Sequence, residues 1–121
     1  MSYVISGAEK GTVTFPFAAF ESSVRAHWNG SVELVGRAPD GTLVADIQPK
    51  GVPGFSVRLT VDGRAMSTDG TPAQVADTAL WAISLLPPDL AQPVLLYDAD
   101  GYRELRRGMS VDEVWSDWEP F

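Results

Sequence analysis

Residues Phe55–Thr68 read FSVRLTVDGRAMST, and this stretch decides the fold. Phe55, Val57, Leu59 and Val61 alternate with Ser56, Arg58 and Thr60, the period-two pattern of a strand with one face in the core and one in water. Asp62-Gly63 follows at once, a strong signal for a two-residue hairpin turn, and RAMST supplies the returning strand. A half-buried antiparallel hairpin needs company. It comes from both sides: SVELVG and TLVADIQ flank RAPDG, whose Pro39-Asp40-Gly41 is good turn chemistry. Further on, VLLY and YREL flank DADG. At the start of the chain, YVIS and GTVTF read as one more hairpin.

Three helices are expected around these strands. Phe17, Phe20, Val24 and Trp28 recur at steps of three and four, one apolar stripe, with Pro16 in the first turn and Asn29-Gly30 as a stop. The second runs from Pro72 to about Leu86. Thr71 caps it, Gln74 completes a capping box, Val75, Ala79, Ala82, Ile83 and Leu86 form its apolar face, and Pro87-Pro88 ends it. The third opens at SVDE, with Ser110 and Glu113 as a second capping box and Val111, Val114, Trp115 and Trp118 on one side. It is short, so packing must hold it. Hairpins that bury helix stripes give an α+β fold: an antiparallel sheet of hairpins with two main helices packed on it and a short C-terminal helix.

The 121 residues fit a single globular domain, residues 1–121, and 45% hydrophobic residues suffice for a core. No linker, repeat or low-complexity segment divides the chain, and no apolar run approaches the ~20 residues that span a bilayer. The opening MSYVISGAEKG lacks the basic and apolar regions of a signal peptide. With no cysteine there is no disulfide or thiolate metal site, and a cytoplasmic protein is expected. The net charge of −7 repels phosphate backbones and anionic lipid. Nucleic acid and membrane are therefore not expected as partners, whereas a basic protein would be steered in.

Bond-making constellations fail one by one. Set to a calcium loop with Gly101 at its sixth position, Asp98 and Asp100 fit positions three and five. Leu96 and Arg107 then occupy positions that need carboxylates. A β-turn accounts for the same residues. His27 is the only histidine, so zinc would lack ligands. A triad with Ser22 or Ser23 lacks the nucleophile elbow, and a helix-face histidine beside Trp28 is the simpler reading. Asp112 and Glu113 sit in a first helical turn, where negative charge suits the dipole. Arg106-Arg107 reads as a charge pair at a hairpin end. The chain is thus expected to be no enzyme, with no metal and no cofactor.

The last twelve residues, SVDEVWSDWEPF, stand apart. Aromatic anchors ringed by charge resemble the core and rim of a protein interface. Asp112, Asp117, Trp118, Glu119 and Phe121 are the candidate partner-binding residues, with Trp115 turned inward to pin the helix.

The layout of LLPPD followed by VLLYDADGYRELRRGMSVDEV, residues 72 to 115 in all, is similar to that of small actinobacterial proteins. Some of these resemble immunity proteins of polymorphic or contact-dependent toxin systems. The resemblance implies a cytoplasmic binding protein that occludes the active site of a cognate toxin, and it assigns no residue a role. The expected function is a non-enzymatic, immunity-type inhibitor whose acidic, aromatic surface docks on a basic toxin or enzyme. Two other readings stand beside it. One is a small-molecule-binding α+β domain with Phe55, Trp81 and Tyr97 lining a pocket; the other is a secretion-linked chaperone or adaptor. Monomer and homodimer both remain open, since an exposed hairpin strand could pair across a two-fold.

Overall fold

The computed structural model describes residues 2–9, 13–90 and 92–121. Among them the element order is β1 (Tyr3–Gly7), α1 (Phe17–His27), β2 (Val32–Arg37), β3 (Leu43–Ile47), β4 (Phe55–Leu59), β5 (Ala65–Thr68), α2 (Pro72–Ser84), β6 (Val94–Tyr97), β7 (Gly101–Leu105), α3 (Val111–Ser116) and β8 (Glu119–Pro120). The fold is α+β. All eight strands form one antiparallel sheet in the order β2-β3-β4-β5-β1-β6-β7-β8. Two main helices and the short α3 share a hydrophobic core with one face of that sheet.

Register follows from the alternation. Ile5 lies opposite both Met66 and Leu96, and Leu43 opposite Leu59; all five point at the helices and are buried. One residue along, Ser6 lies opposite Ala65 and Leu95, and Val44 opposite Arg58, on the face without helices. A slip of one residue would exchange the two sets, so the core fixes the pairing.

The helices form where capping and stripe agree. Thr71 Oγ1 accepts the Gln74 backbone N–H while the Gln74 side chain accepts the Thr71 N–H, and Pro72 occupies the first turn. Ser110 and Glu113 repeat the arrangement at α3. Helix α1 starts with Pro16 at the N-cap and no side-chain cap, so burial of Phe20 and Val24 must hold it. Phe20 and Trp81 meet edge to face at 5.6 Å, joining α1 to α2.

Three sequence expectations change. The N-terminal hairpin does not form. Strand β1 instead inserts between β5 and β6; Gly11 and Thr12 of the expected partner GTVTF lie outside the described residues, and Val13 and Phe15 are buried outside the sheet, with Thr14 between them exposed. Phe15 N–H donates to the Gly63 carbonyl at 2.7 Å, and a Cβ at Gly63 would meet Phe15 O at 3.0 Å, so the segment docks on the β4–β5 turn. That turn is also longer than two residues. Thr60 N–H donates to Ala65 O, and Val61–Arg64 bulge outward around Gly63 at φ 73°. Val61 therefore leaves the inward alternation and is 62% exposed. Lastly, α3 stops at Ser116, and Glu119–Pro120 continues as an edge strand beside β7.

Candidate functional site

Strand β8 takes the expected partner-binding residues apart. In a strand, neighbouring side chains face opposite ways. Trp118 turns to the helix side, where it packs 6.1 Å from Tyr3 and 5.3 Å from Trp115 by ring centroids. Gly101 lies beneath it: a Cβ there would come within 2.4 Å of Trp118 Nε1 and of the Glu119 carbonyl oxygen. Trp115 completes the cluster, 5.4 Å from Tyr3, and its indole N–H donates to the Pro72 carbonyl at 3.0 Å. Trp118 is thus a half-buried clamp on the C-terminal tail. Asp117 caps α3 and is 3.6 Å from Arg103 Nη1, with its side chain largely in water. Asp112 stands exposed on the first turn of α3.

Glu119 and Phe121 belong to the other face. Glu119 lies opposite Tyr102, and Phe121 stacks on Tyr102 at 5.5 Å while staying 75% exposed. Its backbone N–H donates to the Asp100 carbonyl at 3.0 Å, which ties the tail to the β6–β7 hairpin. That hairpin is the acidic turn of the sequence: Asp98 Oδ1 accepts the N–H groups of Asp100 and Gly101. The turn reading accounts for it.

Beside Phe121 the helix-free face opens into a groove of about 590 Å³. Ser6, Ala65 and Leu95, a cross-strand row, form its floor with Tyr97, and Val61 and Phe121 stand at its sides. Ser6 Oγ is 3.5 Å from the Tyr97 hydroxyl, so the floor has one polar point. Asp62 and Arg64 line the turn side. The Thr60 hydroxyl and then the Arg64 N–H donate to Asp62 and hold its carboxyl below the usual carboxylate range. Sequence reading missed this groove. The usable signal was VLLY, where Leu95 and Tyr97, on the phase opposite Val94 and Leu96, are as apolar as the inward pair.

The pocket expected from Phe55, Trp81 and Tyr97 does not form. Phe55 and Trp81 are buried on the helix side, 5.8 and 5.0 Å from Trp28, whereas Tyr97 is on the opposite face. His27 packs on Trp28 as expected, with ring centroids 4.5 Å apart, and its Nε2 lies 3.0 and 3.1 Å from the two Asp77 carboxylate oxygens. The serines beside it serve other partners. The Ser22 hydroxyl donates to the Ala18 carbonyl, and Ser23 Oγ accepts the Trp81 indole N–H. Arg107 donates to the Leu86 carbonyl, and Arg106 and Arg107 border a smaller groove of about 310 Å³. Among the described residues no group of three or more His, Cys, Asp or Glu could hold a metal ion, and no helix is long and apolar enough to cross a membrane.

No family model, curated protein or solved structure matches the chain.

Proposed function

We propose that the chain is a protein-binding inhibitor of the immunity type, which neutralises a basic toxin or enzyme by covering its active site with an acidic, aromatic surface. The observation that carries this reading is Phe121. Among the described residues it is the most exposed of the large hydrophobics, yet two anchors hold it: the Tyr102 ring and the Asp100 carbonyl. A ring fixed in water costs apolar hydration that only a partner recovers. Glu119 beside it and the net charge of −7 supply the complementary field for a cationic target. Asp112 and Asp117 serve as an outer rim on the helix side, and Trp118 acts by holding the tail that presents Phe121. The cysteine-free chain suits a reducing cytoplasm, where such an inhibitor would meet its target.

The test is co-expression with a toxin-like protein encoded beside the gene. The chain should restore growth, and Phe121→Ala combined with Glu119→Lys should abolish the protection while the circular dichroism spectrum is unchanged. Full protection by the folded double variant, or no protection by the natural chain, would overturn the reading.

A further inference from the structure

The helix-free face has more structure than a flat acidic surface needs. Its floor residues are small where the chain could have placed bulk: Ser6, Gly7, Ala8 and Ala65 lie low between Leu95, Tyr97, Val61 and Phe121. The volume of about 590 Å³ is that of a specific ligand site, and its lining is mainly apolar. The lining itself carries one carboxylate and one guanidinium, Asp62 and Arg64. Toward the tail, Glu104 pairs across from Leu95 and Glu119 across from Tyr102, on the groove's own face, while Arg58 pairs across from Ser67 on the β4 side. The tail side of the groove is thus acidic, on a chain whose net charge is −7. A segment with an apolar side chain beside lysines or arginines satisfies both the slot and that acidic side.

We propose that this groove is the recognition slot of the inhibitor: it takes a large apolar side chain of the partner, presented on a Lys/Arg-rich segment. This rests on the protein-binding reading above and names the partner's chemistry. The apolar chain enters over Ala65 and Ser6, between Val61 and Phe121, with the Ser6–Tyr97 hydroxyl pair free to bond the partner's backbone. The flanking cations meet Glu104 and Glu119 on one side and Asp62 on the other. Phe121 thus serves as a wall of the slot as well as an exposed anchor.

The experiment uses the full chain, labelled with ¹⁵N, and three capped peptides: Lys-Arg-Phe-Leu-Lys-Arg, Ser-Gly-Phe-Leu-Ser-Gly and Lys-Arg-Gly-Ser-Lys-Arg. The first should shift the amide signals of Ser6, Ala65, Leu95 and Phe121 and bind about tenfold or more tightly than either control, since anchor and charge act together. Ala65→Phe fills the slot from the solvent face and should weaken that binding by about tenfold; Glu104→Lys should weaken it less. Equal binding of Lys-Arg-Gly-Ser-Lys-Arg would overturn the slot, because charge alone would then suffice, and equal binding of Ser-Gly-Phe-Leu-Ser-Gly would overturn the basic character of the partner segment. Shifts confined to α3 or β2, or undiminished binding to folded Ala65→Phe, would overturn it too. The two readings fail separately. A partner neutralised equally by Ala65→Phe removes the slot and leaves the inhibitor, whereas peptide binding at the slot without neutralisation removes the inhibitor.

Discussion

The two faces of the sheet are built from the same strands and obey opposite rules. Toward the helices, Ile5, Leu59, Met66 and Leu96 are fully buried and close-packed around Phe20 and Val24. One residue along each strand, Ser6, Arg58, Ser67 and Leu95 face away from the helices with part or all of their surface in water. Far from the tail this outer face is mixed: Ser56 Oγ donates to Asp46 at 2.8 Å across β3 and β4, and Val44 and the exposed Leu34 share that face. Near β1, β6 and β8 it is apolar and hollow as well. The hollow is what sets this end apart, and an apolar concavity in water points to a contact.

That contrast can be broken from the inside first. Phe20→Ala removes a fully buried ring at the α1–α2 contact and should lower the unfolding free energy by about 3–5 kcal/mol in urea titration. Next comes the hinge between the faces. Gly101→Ala sets a Cβ against Trp118 and the Glu119 carbonyl, so it should cost about 1–3 kcal/mol and release the tail. Faster hydrogen exchange at the Phe121 amide would record that release. Thr71→Ala removes the N-cap of α2 and should cost about 1 kcal/mol by the same titration. On the outer face Ala65→Phe should stay within about 0.5 kcal/mol of the natural chain, because it meets solvent rather than core.

Acid should act on the turns and caps. Asp62 is held low by the Thr60 hydroxyl and Glu113 by the Ser110 N–H, so each carboxyl has a lower pKa in the folded chain than in the unfolded one. Their contribution is complete above the ordinary carboxylate range and is lost as pH falls through the lowered values. Asp62→Asn should therefore flatten the acid limb of the stability curve, lowering stability slightly at neutral pH and leaving it unchanged in acid, below the lowered value.

Much of the fold was legible in the sequence because local signals agreed with the packing. Thr71/Gln74 and Ser110/Glu113 announced two helix starts, and the alternation of Phe55, Val57 and Leu59 set one strand's faces. What stayed hidden depends on distant residues. Strand β1 pairs with β5 and β6, some sixty and ninety residues away, and nothing local in YVIS selects those partners over its neighbour in sequence. Val61 continued the apolar alternation, but the wider turn around Gly63 carried it into solvent. The C-terminal residues were recognised as a group, and a helical period placed them on one surface. The period changes to two after Ser116, which sends Trp118 inward and Phe121 outward. The groove was invisible for a related reason: it exists only where residues from β1, β5 and β6 lie side by side.

The most direct test sets stability and binding of Phe121→Ala side by side, by urea unfolding and by titration with the Lys/Arg-flanked peptide. Because the ring stacks on Tyr102 in water and lies outside the core, the unfolding midpoint should hold while binding weakens several-fold. A lowered midpoint with binding intact would mean that Phe121 is a structural pin, and would contradict the division of labour between the two faces.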